Sequence, residues 1–142
     1  MFDLRKSIRI ARIPIIGLTI LEVLWNMIER FFHLYWISPI LYLVKFSIYG
    51  YCGYLAYTRY NSDLVEGATA GAVAGFIFSL IEGFIVSLLF SGALFYHLGP
   101  GLPIVAGIST IIKQVLYGVI FSAIGVYITP RYLSKYLRNR ES

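Results

Sequence analysis

Four long apolar stretches, residues 13–32, 37–57, 67–94 and 102–129, fill most of this chain and are separated by connections of four to nine residues. A helix needs about 20 apolar residues to cross a bilayer hydrocarbon core. Inside lipid every backbone amide must be satisfied, which leaves helices or a closed barrel. No alternating pattern of roughly ten residues suggests a barrel here. The short connections make successive helices antiparallel neighbours. The expectation is an all-α membrane protein, one domain forming a bundle of four transmembrane helices.

Composition agrees. Hydrophobic residues make up 58% of the chain and charged residues 13%, whereas a soluble domain carries about 25% charged residues. The net charge of +5 does not point to nucleic acid, because most of the chain is too apolar to present a solvated basic face. Cys52 is the sole cysteine, so no disulfide can form within the chain.

Lysine and arginine favour the cytoplasmic flanks of membrane helices. With four spans and both termini inside, nine of twelve basic residues lie on inner flanks: Arg5, Lys6, Arg9, Arg12, Arg59, Arg131, Lys135, Arg138 and Arg140. Three spans would divide them evenly, so the charge distribution favours four, in a cell membrane. The basic and then apolar start lacks a small-residue cleavage site before Glu22 and reads as a retained signal-anchor helix. Residues 1–12 place Arg5, Arg9 and Arg12 on one helical face. In the basic cytoplasmic tail, 130–142, Arg131, Lys135 and Arg138 share another. Both ends read as short basic interfacial helices drawn to anionic lipid headgroups.

One internal match stands out. Phe31-Phe32-His33-Leu34 followed by Ser38-Pro39-Ile40 aligns with Phe95-Tyr96-His97-Leu98 followed by Leu102-Pro103-Ile104 at an offset of 64. Outside this window the identity falls to background, so duplication and coincidence both stand. A duplication implies two parallel helical-hairpin repeats related by an axis along the membrane normal.

Each hairpin then carries an acid on its first helix and a base on its second. Glu22 and Lys45 lie at matching depth about His33, and Glu82 and Lys113 about His97. A charge at a helix centre costs about 2.5–3.5 kcal/mol even on gentle insertion scales. The least costly arrangement pairs Glu22 with Lys45 and Glu82 with Lys113. Such pairs either fix helix register or conduct an ion or proton. Thr19, Glu22, Asn26, Glu29 and His33 recur at helical spacing and form a polar seam suited to a cavity or a partner helix.

The third stretch has the most regular pattern. Gly67, Gly71, Gly75, Ser79, Gly83, Ser87 and Ser91 recur every four residues, a small-residue ridge that lets helices approach closely in lipid. Gly118 with Ser122, and Gly107, offer a matching surface on the fourth helix. The ridge is longer than one antiparallel neighbour requires, which suggests that its outer or inner half meets another molecule.

Catalytic and nucleotide-binding motifs are absent from the sequence, and no metal-site spacing occurs. His33 and His97 are the only residues that suggest haem, and both fall in outer turns rather than within helices, which disfavours a b-type site. The sequence therefore predicts a non-enzymatic structural or accessory subunit of a larger membrane assembly, or a homo-oligomer. The alternative is a small transporter or ion or proton channel using the Glu/Lys pairs. Lipids and other membrane subunits are the expected partners.

Overall fold

The computed structural model describes residues 3–89 and 102–141, and among them all regular structure is helical. Helix α1 spans Leu4–Phe32, α2 Ser38–Tyr60, α3 Leu64–Leu89 and α4 Leu102–Glu141, with a single 3-10 turn at Tyr35–Ile37 before α2.

The helix ends follow from local chemistry. The Asp3 carboxylate accepts from the backbone N–H of Arg5 at 3.0 Å and of Lys6 at 3.3 Å, satisfying donors that the first turn leaves open. Asp63 does the same for α3 through the Glu66 N–H at 2.8 Å. At their C-termini, α1 and α2 close on left-handed residues, His33 (φ 52) and Asn61 (φ 47). Pro39 opens α2 in its first turn, where its missing N–H has no helical partner to lose.

The basic ends are not separate helices. Residues 4–12 are the first turns of α1, which runs unbroken through the buried Pro14. Residues 130–141 likewise extend α4, which at 40 residues is about 60 Å long at 1.5 Å per residue. The first of these segments packs into the bundle through Ser7, Ile10 and Ala11, which are buried.

The helices run up, down, up, down, and their order around the bundle is α1, α2, α4, α3. The largest interface is between α3 and α4, and α2 and α3 meet across the short diagonal. Thus α1 lies beside α3 and α2 beside α4, as two hairpins laid side by side. A two-fold axis along the bundle would put each of those pairs on a diagonal, so the expected axial symmetry is not the arrangement found.

Backbone-to-backbone contacts set this order. A Cβ built on Gly71 would overlap the Gly118 carbonyl, and one on Gly75 the Gln114 carbonyl. Gly53 and Gly125 make equally close approaches to Ser122 and Gly50 across the α2–α4 interface. The Ser122 hydroxyl donates to the Gly67 carbonyl at 2.6 Å in the buried core.

Around this core the exterior is apolar. Exposed Ile13, Ile16, Ile20, Leu24, Met27 and Phe31 line one side of α1, and exposed Ile108, Ile112, Leu116, Ile120, Ile124 and Ile128 line α4. Gln114, Ser122, Lys45 and Ser79 are buried instead. Among the described residues two helices are long and apolar enough to cross a membrane, Leu64–Gly83 and Gly107–Thr129, each with a mean hydropathy of 1.8.

Candidate functional site: a polar cluster around Lys45

Buried polar side chains gather where α1, α2, α3 and α4 converge. The inward stripe of α1, Ile10, Pro14 and Leu18, continues one turn later to Glu22. On α2 the stripe Leu41, Lys45, Tyr49 and Cys52 faces it. The structure brings Lys45 Nζ to 3.9 Å from Glu22 Oε2, with Lys45 4% exposed and Glu22 9% exposed.

Three aromatic rings surround the same ammonium. Lys45 Nζ lies 5.5 Å from the Trp25 ring centroid, 5.7 Å from that of Tyr42 and 5.3 Å from that of Phe78. Each ring presents a negative face, worth about 2 kcal/mol or more to a desolvated cation. Trp25 and Tyr42 also meet edge to face at 5.0 Å. Asn26 anchors the carboxylate, donating to the Glu22 carbonyl at 2.8 Å and to Oε1 at 3.2 Å.

The second acid joins the cluster through different partners from those the sequence suggests. Gln114 Nε2 donates to Glu82 Oε2 at 3.0 Å, and the Tyr49 hydroxyl donates to Gln114 Oε1 at 2.9 Å. Lys113 does not meet Glu82. It is exposed and faces outward beside Ile108, Ser109, Ile112 and Leu116. The reason is rotational. Gln114, Gly118, Ser122 and Val126 form the buried stripe of α4, and a residue one position earlier is turned away by about 100° at 3.6 residues per turn.

These contacts close a ring. Lys45 touches Phe78, which lies one turn before Glu82 on α3. Glu82 binds Gln114, and Gln114 binds Tyr49, one turn after Lys45 on α2. Glu82 lies within electrostatic reach of both Lys45 and Glu22. The buried Glu22 and the half-buried Glu82 thus share one buried ammonium, with Glu29 and the exposed Lys113 also within electrostatic reach, where the sequence predicts two neutral pairs.

The polar seam of α1 turns inward only in part. Glu22 is buried, Asn26 and Glu29 are half-buried, and His33 is exposed at the helix end. Thr19 bonds back to the Ile15 carbonyl at 2.8 Å. Glu29 accepts from Trp25 Nε1 and, at 3.4 Å, from the Ser38 hydroxyl, which ties α1 to the start of α2. His97 and Ser91 lie outside the described residues, as does the Ser87 side chain. Among the described residues no group of three or more His, Cys, Asp or Glu could hold a metal ion.

The glycine ridge is divided. Gly67, Gly71, Gly75 and Ser79 are buried, the three glycines against Val126, Gly118, Ser122 and Gln114 of α4. The Cβ positions of Gly83 and Gly107 meet nothing within 4 Å. The N-terminal half of the ridge is therefore an internal interface. Arg5, Arg9, Arg12 and Arg138 are exposed, while the side chains of Arg131 and Lys135 lie outside the described residues.

Sequence reasoning does not single out Tyr49, Phe78 or Gln114 as site residues. For Gln114 a signal exists, since it extends the Gly118–Ser122 row by one four-residue step. No known protein family, characterised protein or solved structure matches the chain.

Proposed function

We propose that this chain is a four-span integral membrane protein, with both termini cytoplasmic, that passes or exchanges a proton or small monovalent cation through the Lys45 cluster. The observation that carries this reading is the unequal interior charge. Glu22 and Glu82 face a single Lys45, while Lys113 points outward. The buried Glu22 and the half-buried Glu82 with one buried ammonium leave one negative charge at the edge of the bundle interior, where an uncompensated ion is costly. A proton or a bound cation completes the balance, and a group that must be neutralised reversibly is suited to carrying charge.

Membrane insertion of all four helices is supported by the distribution of side chains. Helices α1 and α2 contain acids and a lysine, which lowers their hydropathy, but they turn these groups inward and present isoleucine, leucine and aromatic residues outward. Contiguous apolar surface on this scale is foreign to a water-soluble monomer. The accessory-subunit reading loses part of its support, because Gly67, Gly71 and Gly75 already pack on α4.

The test is flux in liposomes containing the purified protein, with an internal pH-sensitive dye and an imposed potential. Wild type should move protons or a monovalent cation, and Glu82→Gln should lower the rate at least tenfold with assembly unchanged. Lys113→Gln should not. If wild type moves neither, the cluster serves helix register and the accessory reading replaces this one.

A further inference from the structure

The surroundings of Lys45 resemble a ligand site more than a salt bridge. An ammonium has three donors, yet Lys45 Nζ makes no side-chain hydrogen bond among the described residues, and the Glu22 carboxylate stands 3.9 Å away. What encloses the group is the set of ring faces from Trp25, Tyr42 and Phe78, contributed by three different helices. A carboxylate that supplies charge at a distance, with π faces that supply contact, discriminates by type of cation. An alkylammonium sheds water readily and puts its carbon atoms against rings. A potassium or sodium ion needs oxygen ligands, and rings are poor replacements for them.

We propose that Glu22, Trp25, Tyr42 and Phe78 form a recognition site for a small primary alkylammonium, and that Lys45 is its tethered occupant when no ligand is present. This rests on the reading of the bundle as a cation-handling membrane protein and names the cation class. Lys45 enters the box from α2 on a flexible four-carbon stem, so its ammonium can withdraw while its backbone stays in place. The box lies about two turns from the start of α2 at Ser38, on the side where Trp25 and Ser38 donate hydrogen bonds to Glu29. The ligand therefore enters from the outer end, and the displaced Lys45 leaves a second positive charge to be shared by Glu22 and Glu82.

Truncating Lys45 to alanine removes the equivalent of n-propylammonium from the box. Cavities made by truncating buried side chains accept ligands of the deleted shape. The experiment uses the full chain in detergent with Trp36→Phe, so that Trp25 is the remaining tryptophan, and follows its fluorescence. The Lys45→Ala variant should give a saturable response to n-propylammonium chloride with an apparent affinity at least tenfold above that of the unaltered Lys45 chain. Potassium chloride at equal ionic strength should give none. Lys45→Met, which refills the space without charge, should lose the response. A folded Lys45→Ala chain with no saturable response, or one that answers potassium equally, overturns the proposal. Should that variant fail to fold, the Lys45 chain decides alone. A response to n-propylammonium but not to potassium at the same high concentration sustains the site, and equal or absent responses remove it. Flux is read separately, so a chain that conducts but ignores propylammonium keeps the function proposed above and loses this site.

Discussion

Gly71 on α3 and Gly118 on α4 press backbone against backbone, and a Cβ added to either would overlap the carbonyl oxygen of the other. A contact this close has no room for one methyl group. In lipid, where apolar surface is no drive for helices to associate, such contacts supply the packing that holds them together. Gly71→Ala and Gly118→Ala should each destabilise the protein by about 1–3 kcal/mol, as overpacking does. The double variant should cost less than the sum, since both methyls strain one contact. Gly107→Ala, whose Cβ meets nothing within 4 Å, should be neutral or slightly stabilising through helix propensity. Thermal unfolding in detergent measures all four.

The unequal interior charge separates two substitutions that a simple ion pair would make equivalent. Lys45→Met leaves Glu22 and Glu82 without a cation and should cost about 3–5 kcal/mol, the range for breaking a buried pair. Glu22→Gln leaves Lys45 with Glu82 and retains an amide for Asn26, so its cost should be less than half as large. Equal losses in chemical unfolding would show that Glu82 does not share the ammonium.

Gln114 and Lys113 are adjacent in sequence and opposite in role. Gln114→Leu removes the acceptor of the Tyr49 hydroxyl and a donor to Glu82. It should cost about 1–3 kcal/mol, the penalty of orphaned buried polar groups. Lys113→Leu, on the exposed apolar face, should change stability by no more than about 0.5 kcal/mol. The two variants are compared by chemical unfolding, and the reverse ranking would restore a Glu82–Lys113 pair.

Lys6 Nζ meets Glu66 Oε2 at 2.9 Å and clasps the starts of α1 and α3. The lysine's hydrogen bond holds the Glu66 carboxyl below its ordinary value of 4.5. A carboxyl lowered in the folded state stabilises the fold above its unfolded value, and that contribution disappears as pH falls through the folded value. Hydrogen exchange in the first turns of α1 should therefore quicken as pH drops from about 5 to about 3, after correction for intrinsic rates. The Lys6→Gln variant should lack this change. Because the pair is partly open to solvent, the effect should be small and should weaken with salt.

Much of the fold is legible in the amino-acid sequence. Long apolar stretches, Pro39 at a helix start and the short connections locate the helices to within a few residues at most ends and make them antiparallel. The exceptions are the two basic ends. Arg5, Arg9 and Arg12 mark a change of composition at residue 13, but composition does not interrupt a hydrogen-bonded helix, and α1 runs straight through Pro14. The site is legible only in part. Glu22 and Lys45 can be matched by depth, because a helix rises uniformly along its axis.

What the sequence determines by itself is a set of helices, the position of each residue along them, and their strongly apolar character. What only the tertiary structure decides is azimuth and neighbour. Depth matches Glu82 to Lys113, but the approach of Gly71 to Gly118 sets the rotation of α4, and that rotation turns Gln114 inward and Lys113 outward. The same glycine contacts hold α3 beside α4 and α2 beside Gly125, so three aromatic rings from separate helices meet over one ammonium. Each residue's rise is local and can be counted along the chain. Its facing depends on which backbone comes closest, a property of the packed bundle alone.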